Sequence, residues 1–144
     1  MPLVSRKGIL AIAAVIDIAI HAHNRPVSAK ALAVRHQLPA RHLEPVLQAL
    51  VRDGILRGIR GPRGGYELAR ERQQVTANDI LRAAGTADDV ENPHDTSVIL
   101  NKVVIPALAG AELEFGTALS RINVEDMARS AEQVMKQGGS TASC

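Results

Sequence analysis

The sequence predicts a mainly α-helical fold with a small β-hairpin, and three observations support this prediction. Apolar residues recur at helical spacing over much of the 144-residue chain. A glycine-rich tip separates two short β-capable runs at 55–59 and 66–69, which indicates a hairpin. A helix, a tight turn and a second helix come directly before it. This order of elements is that of a winged helix-turn-helix, and a long C-terminal dimerisation helix is expected to follow.

Length and charge limit the classes of protein to consider. The chain is long enough for one domain with an appended element, and 46% of its residues are hydrophobic, which argues against disorder. Residues 1–72 hold twelve Lys/Arg and five Asp/Glu, whereas residues 73–144 hold five and ten. The front half is therefore expected to meet a polyanion. Only Tyr66 and Phe115 are aromatic, so double-stranded DNA is a better partner than base-stacked RNA or single strands.

The first predicted helix follows Ser5, a capping residue, and ends near His23. The apolar run after Arg6-Lys7 imitates a secretory signal, which remains the weaker alternative because Asp17 interrupts it and no clear cleavage site follows. Helical spacing favours a buried helix, with apolar residues at Ile9, Ile12, Ala13, Ile16 and Ile20. Nothing else approaches transmembrane length without charge, so a cytoplasmic chain with no membrane partner is predicted.

The predicted helix-turn-helix consists of a short helix at 29–36, capped by Ser28, and a helix from about 41 to 53 that stops at Gly54. Ala31, Leu32 and Val34 are expected to face inward in the first of these. The second has an apolar stripe at Leu43, Val46, Leu47, Leu50 and Val51. Its other face offers the candidate DNA-contacting residues Arg41, His42, Glu44 and Gln48, followed by Arg52. For each of them an ordinary solvated helix surface is the alternative.

The hairpin supplies the second group of candidate DNA-contacting residues. Arginines stand on or beside its tip, where a guanidinium can grip phosphate oxygens or enter a narrow minor groove. A solvated turn is the alternative. The candidates in the hairpin are Arg57, Arg60, Arg63, Gly64, Gly65 and Tyr66, with Arg70 beside them. Ser28 and Lys30, at the start of the short helix, are candidates for phosphate contact, with simple capping and solubility as the alternative.

After the hairpin, Thr76-Ala-Asn-Asp79 resembles a capping box that opens a helix ending at Gly85. The acidic segment 86–96 is predicted to be a mobile loop, and its acidic residues and His94 match no ordered metal site. A long helix follows from 97 to about 121, where Pro106 predicts a kink or break. Its apolar seam is expected to pack on a partner chain, through Leu100, Val104, Leu108, Ala111, Phe115, Leu119 and Ile122.

These elements divide the chain into four predicted parts. Residues 1–85 form the winged helix-turn-helix domain, residues 86–96 form the acidic loop, residues 97–136 form the dimerisation helices and residues 137–144 form a disordered tail. The dimerisation helices include a last one at 124–135 that can fold back on the long helix. The chain is thus expected to pair with a second copy of itself.

The recognition helix and wing together resemble a known family. The run from His42 to Leu56, followed by Arg60-Gly-Pro-Arg-Gly-Gly-Tyr-Glu-Leu-Ala-Arg70, is similar to the Rrf2-type bacterial transcription regulators. That family includes the iron–sulfur-cluster regulator and the cysteine-metabolism repressor, and the resemblance covers residues 1 to about 122. It implies a homodimer on pseudo-palindromic promoter DNA. It also implies that Arg41, His42 and Glu44 enter the major groove and that Arg60 enters the adjacent minor groove.

One departure from the family pattern concerns cofactors. Many members hold an iron–sulfur cluster with three cysteines between the helix after the wing and the long helix. Residues 86–96 contain none, and Cys144 is the only cysteine, so no cluster is expected because thiolates hold such clusters. His21, His23 or His36 as unusual ligands form a weaker alternative. The effector stays open between a small ligand, a partner protein and none.

The predicted function is sequence-specific regulation of transcription, with two rivals. A phosphate-binding enzyme built on the glycine loop is the weaker rival, because the Lys-Ser/Thr of a P-loop does not follow Gly64-Gly65 and no nucleophile with a base appears. The chain is therefore predicted not to be an enzyme. A winged-helix module used only for protein contacts is the other rival, and it would show no salt-sensitive binding to duplex DNA.

Overall fold

A computed structural model of the chain describes residues 5–23, 25–85 and 98–142. The predicted acidic loop and Cys144 lie outside these ranges. Six α-helices and two strands are present in the described part: α1 Arg6–His21, α2 Ala29–His36, α3 Ala40–Arg52, β1 Leu56–Ile59, β2 Gly65–Leu68, α4 Ala77–Gly85, α5 Ile105–Leu119 and α6 Val124–Ala142. A 3-10 turn at Arg72–Gln74 precedes α4, and a π-helical segment at Leu100–Val104 leads into α5. The predicted mainly α-helical fold with one hairpin is confirmed.

The hydrophobic core forms where α1 packs against α3, α4 and α6. The largest fully buried side chains lie on these four helices, on α2, in or directly before β1, and just before α4. They are Val15, Ile18, Leu32, Leu43, Leu47, Leu50, Ile55, Leu56, Val75, Ile80 and Val124. The predicted stripe of α3 is confirmed for its first four residues, and Val51 is half-buried. Burial of this stripe fixes the opposite, polar face of α3 toward the outside.

The predicted apolar face of α1 is wrong. The helix buries Ala11, Ala14, Val15 and Ile18, whereas Ile9 is 47% exposed and the other residues of the predicted stripe are half-buried. Because α1 is apolar nearly all round, its periodicity does not select one face. Asp17 lies on the buried side, with 5% of its surface exposed.

Local capping follows the sequence closely. The Ser5 hydroxyl accepts a hydrogen bond from the Gly8 amide and the Ser28 hydroxyl accepts one from the Ala31 amide, each at 3.0 Å. Thr76 and Asp79 form the reciprocal pair of a capping box, at 3.1 and 3.2 Å. The starts of α1, α2 and α4 are thus confirmed. On α2, however, Val34 does not face inward, since it is 71% exposed while Leu32 fills the core.

The hairpin pairs β1 and β2 antiparallel in the register Leu56↔Leu68 to Ile59↔Gly65. Its base is joined to the end of α3, because the Ile55 amide donates to the Leu50 carbonyl and the Ala69 amide donates to the Ile55 carbonyl, each at 3.0 Å. Gly61 in the tip has a φ of 116°, a backbone conformation that favours glycine. The hairpin is therefore held to α3 at its base, and its tip extends into solvent.

The C-terminal helices differ from the predicted arrangement. The break expected at Pro106 is present as the π-helical segment that precedes α5. The final helix packs against α1 and the 3-10 turn and does not fold back along α5, since Val124 and Ala128 are in the core and Arg72 pairs with Glu125 at 3.0 Å. It also continues to Ala142, where a disordered tail from residue 137 was expected. Within the described chain, α6 therefore packs with the winged helix-turn-helix.

Every α5 side chain from 106 to 119 is at least partly exposed. In the described ranges, no helix has both the length and the apolar character to cross a membrane.

Candidate nucleic-acid interface

The polar face of α3 is exposed as the sequence predicts. Arg41, His42 and Glu44 stand in its first turns, and Gln48 and Arg52 continue the same face toward its C-terminus. Within the described part of the chain, neither the side chain of Arg41 nor that of His42 has a hydrogen-bond or ion-pair partner. These side chains are free to meet an external partner, because nothing in the described fold occupies them.

The N-terminal end of α3, which carries Arg41, His42 and Glu44, has no side-chain cap. Pro39 is the N-cap and its side chain makes no capping bond, and Gln37 adopts a left-handed conformation in the turn before it. Pro45 lies inside the helix, where it lacks the amide that would donate to the Arg41 carbonyl. Free backbone amides at this end can thus donate to phosphate or base oxygens, and the Arg41 carbonyl can accept from a base amine.

The arginines of the wing fall into two groups. Arg57 is paired across the strands with Glu67, with Nε–Oε1 and Nη2–Oε1 distances of 2.9 and 2.7 Å. Arg70 lies 3.8 Å from Asp79. In contrast, Arg60 and Arg63 at the tip are exposed and have no partner among the residues that the structure describes. The two tip arginines are therefore the better candidates for nucleic-acid contact.

A backbone bridge ties the wing to the start of α2, and the sequence did not predict it. The amide of Val27 donates to the carbonyl of Tyr66 at 2.9 Å, and the amide of Tyr66 donates to the carbonyl of Val27 at 2.7 Å. A Cβ added to Gly65 would lie 2.5 Å from the Val27 carbonyl carbon, so only glycine permits this approach. Gly64 is equally confined, by the backbone of Ile59 and Gly61.

The bridge brings the predicted phosphate-contacting residues close to the wing. Ser28 follows Val27 directly, and its hydroxyl caps α2, so the capping alternative describes its observed role. Lys30 is exposed on the first turn of α2. Tyr66 contributes its backbone to the bridge, and its side chain is half-buried against the core. The helix-turn-helix and the wing are thus one connected unit.

The sequence also missed an ion pair between a buried carboxylate of α1 and an arginine of α2, which orients α2 on α1. The carboxylate of Asp17 accepts hydrogen bonds from Arg35 Nε at 2.8 Å and Arg35 Nη2 at 2.6 Å. His36 Nε2 donates to the same carboxylate at 3.0 Å, and His21 Nδ1 donates to the Asp17 carbonyl at 2.9 Å. Two of the histidines weighed as metal ligands therefore surround this carboxylate.

Burial opposes ionisation of Asp17, yet the hydrogen bonds and charge of Arg35, with His21 and His36, hold the pKa of the Asp17 carboxyl below its usual value. The same hydrogen bonds raise the pKa of Arg35. The signal in the sequence was Asp17 itself, because an isolated acid in an apolar helix has to find a buried partner.

Within 5–23, 25–85 and 98–142, no three His, Cys, Asp or Glu side chains are grouped so that they could hold a metal ion. The acidic residues at 88–95 and His94 lie outside these ranges. The described residues thus do not fit an iron centre.

The chain has a helix-turn-helix, a glycine-tipped wing and, on both, arginines that are unpaired among the described residues. These are the features of winged helix-turn-helix proteins, a class that binds duplex DNA. Residues 4–130 match the Rrf2 family, described as iron-dependent transcriptional regulators, and the chain belongs to this family. The solved structure of T. potens IscR has a TM-score of 0.69 with 30% identity, covering 91% of this chain and 89% of that one.

Two further comparisons agree with this assignment. CymR, the global cysteine regulator of B. subtilis, has a TM-score of 0.65 with 29% identity, covering 88% of this chain and 96% of that one. The HTH-type transcriptional regulator IscR of Vibrio atlanticus is 28% identical over 88 residues, covering 61% of this chain and 51% of that protein. The chain thus spans about half the length of the curated relatives that it matches. These relatives are named as transcriptional regulators, in agreement with the description of the family to which the chain belongs.

Proposed function

We propose that this chain regulates transcription by binding a pseudo-palindromic promoter site as a homodimer, without an iron–sulfur cluster. The observation that carries the proposal is the exposed polar face of α3 beside a wing whose Arg60 and Arg63 are unpaired among the described residues. A major groove admits one α-helix, whose N-terminal residues reach the base edges. Arg41, His42 and Glu44 would contact bases there, and Gln48 would extend this contact.

The wing would supply the second contact. Arg60 and Arg63 extend from the tip, where a guanidinium can enter the adjacent minor groove or grip phosphates. Arg57 is paired with Glu67, so its positive charge would attract the DNA backbone but its guanidinium would make no specific contact with a base. Lys30 on the first turn of α2 would meet the phosphate backbone. The bridge between Val27 and Tyr66 supports this arrangement, because it links the wing to α2.

Exposed apolar residues around α5 support the homodimer. Large apolar side chains are usually buried, and several here are mostly in solvent: Val98, Ile99, Val103, Leu108 and Leu113 are 61–73% exposed. Of the predicted seam, Val104, Leu108 and Ile122 are 38–62% exposed, and Phe115 and Leu119 are half-buried. The segment 98–119 would span roughly 33 Å as a helix. A second copy of the same segment would cover this surface.

The absence of a cluster is proposed from the chain's own residues. Iron–sulfur clusters are held mainly by cysteine thiolates, and this chain has a single cysteine at position 144. A regulator of this kind acts where the chromosome is, so a cytoplasmic location belongs to the proposal. The effector stays open between a small ligand, a partner protein and none.

The test is selection of bound fragments from the source genome by the purified protein. We expect recovered sites to hold two half-sites separated by one helical turn or a multiple of it. Binding should weaken steeply with salt, by about 10³-fold or more between 50 and 200 mM if six or more phosphates are contacted. The variant Arg121→Ala should keep this salt-sensitive binding, because Arg121 is exposed but lies outside the proposed surface.

Three results would contradict the proposal. Recovery of random fragments would indicate non-specific attachment only. Loss of all salt-sensitive binding to duplex DNA would favour a module for protein contacts. An iron–sulfur absorption spectrum in protein purified without oxygen would contradict the proposed absence of a cluster.

A further inference from the structure

A groove lies beside the N-terminal end of α3, and the proposed DNA contacts leave its apolar floor unused. It has a volume of about 800 Å³ and lies between the N-terminal half of α1, the turn between α2 and α3, and the first turns of α3. This volume is in the range of pockets that bind small molecules. Arg41 and His42 belong both to its wall and to the proposed DNA surface.

The floor of the groove is apolar. Ile9, Leu10 and Ala13 of α1 face Leu38 of the turn and Pro45 of α3 across it. Ile9 is 47% exposed, and Leu10, Ala13 and Leu38 are each half-buried. The floor therefore offers an apolar surface that a hydrocarbon group would remove from water.

The rim of the groove is cationic. The cations are Arg6 and Lys7 from the first turn of α1 and Arg41 from α3, and the imidazole of His42 lies beside them. No carboxylate is among the described residues that line the groove. A cationic rim above an apolar floor is complementary to a molecule with an anionic head and a hydrocarbon body. The DNA backbone matches the rim but has no apolar group for the floor.

We propose that this groove binds a small amphipathic anion, an unbranched alkyl chain that ends in a carboxylate. Its head would pair with the rim, and its chain would lie on Ile9, Ala13 and Leu38. Bound there, it competes with DNA for Arg41 and His42, so ligand and DNA weaken each other's binding by the same factor. The competition rests on the proposed DNA-binding function, whereas binding of the anion itself does not.

The first test is calorimetric titration of the full chain with sodium decanoate below its micelle concentration. We expect saturable binding of one decanoate per chain and no saturable binding of decylammonium, which has the same chain with the opposite charge. Hexanoate should bind more weakly, with each added methylene tightening binding by about two- to fourfold. Absence of saturable decanoate binding, or equal binding of decylammonium, would overturn the proposal.

A matched pair of variants locates the ligand. Ile9→Ser removes apolar surface from the floor and should weaken decanoate binding by about tenfold. Val34→Ser makes the same kind of change at a side chain that is 71% exposed and outside the groove, so decanoate binding should be unchanged. If both variants bind decanoate like the parent chain, the assignment to this groove is wrong. If decanoate does not bind and Ile9→Ser dissociates a homodimer, a second copy covers the groove and the proposal fails.

A third measurement adds promoter DNA. Decanoate should lower the affinity of the parent chain for a selected site, and the Ile9→Ser variant should require about tenfold more decanoate for the same effect. If decanoate binds as expected but no promoter site is ever selected, the proposed function fails and the binding site stands. If the site is selected but decanoate leaves DNA affinity unchanged, the competition is wrong.

Discussion

Arg35 of α2 donates two hydrogen bonds to Asp17 of α1, with Nε–Oδ2 and Nη2–Oδ1 distances of 2.8 and 2.6 Å. Asp17 is 5% exposed and Arg35 is 36% exposed, so the pair lies at the edge of the core. Two parallel, charge-assisted bonds fix orientation as well as distance. This pair therefore sets how α2 lies on α1, and α2 in turn carries the turn that leads into α3.

The first prediction concerns the stability that this pair contributes. Asp17→Asn keeps the shape of the side chain but removes the charge that Arg35 and His36 contact. We expect the free energy of unfolding at pH 7 to fall by about 1–3 kcal/mol, less than for a fully buried pair because Arg35 is partly exposed. Urea denaturation followed by circular dichroism measures this. Asp53→Asn, at an exposed aspartate, is the control and should change stability by less than about 0.5 kcal/mol.

The second prediction is the pH range of that contribution. The pKa of Asp17 in the folded state lies below its ordinary value of 3.8. The contribution is therefore fully present above 3.8 and is lost as the pH falls through the folded-state pKa. The difference in unfolding free energy between the parent chain and Asp17→Asn should therefore shrink as the pH falls below 3.8. A difference that stays constant into strong acid would contradict this account.

The sequence predicted those parts of the fold that depend on local patterns. Strong alternation of polar and apolar residues in α3 identified its buried stripe, with Leu43, Val46 and Leu47 inside. Ser5 and Ser28 identified helix starts because a capping residue acts within three positions of itself. The exposure of Arg41 and His42 followed from the stripe on the opposite side.

The remaining features depend on contacts between distant parts of the chain. The face of α1 was mispredicted because this helix is apolar nearly all round, so neighbouring helices and the Asp17 pair determine which side is buried. The bridge between Val27 and Tyr66 joins residues far apart in sequence through backbone groups, which carry no sequence signal. The packing of α6 on α1 likewise depends on tertiary contacts and not on the helix's own pattern.

The third prediction separates the arginines of the wing. Arg60→Ala should cost about 1–3 kcal/mol of binding free energy on a selected site and less on random DNA. Arg57→Ala should cost less than Arg60→Ala, because Arg57 is already paired with Glu67. Arg60→Lys keeps the charge but loses the planar fork, so it should retain binding to random DNA. Fluorescence anisotropy at two salt concentrations measures all three. Equal losses for Arg60→Ala on both kinds of DNA would make Arg60 a phosphate contact only.

The fourth prediction tests the link between the wing and α2. Gly65→Ala places a Cβ 2.5 Å from the backbone of Val27, so the bridge has to open or shift. We expect a loss of about 1–3 kcal/mol in unfolding free energy, together with weaker DNA binding, because the wing is no longer held to α2. Gly58→Ala is the control, since a Cβ there meets no atom within 4 Å. If the two variants are equally stable and bind DNA equally well, the bridge does not hold the wing.

The fifth prediction concerns α5 as the dimer contact. Leu108 is 62% exposed in the protomer, so Leu108→Glu should leave the fold intact while placing a charge in the proposed interface. Sedimentation should give twice the 15.3 kDa of one chain for the parent protein and a single chain for the variant. Val34→Glu is the control, because Val34 is 71% exposed and lies on α2, away from α5.

Dissociation should also change DNA binding in a specific way. Two linked heads bind two half-sites more tightly than one head by roughly 10²–10⁴-fold, since the second contact is intramolecular. Leu108→Glu should lose this advantage on a site with two half-sites and keep the parent affinity for a single half-site, because the DNA-contacting residues are unchanged. A variant that remains dimeric would place the interface elsewhere. A variant that loses single half-site binding as well, with its circular dichroism spectrum preserved, would mean that α5 supports the DNA-binding surface directly.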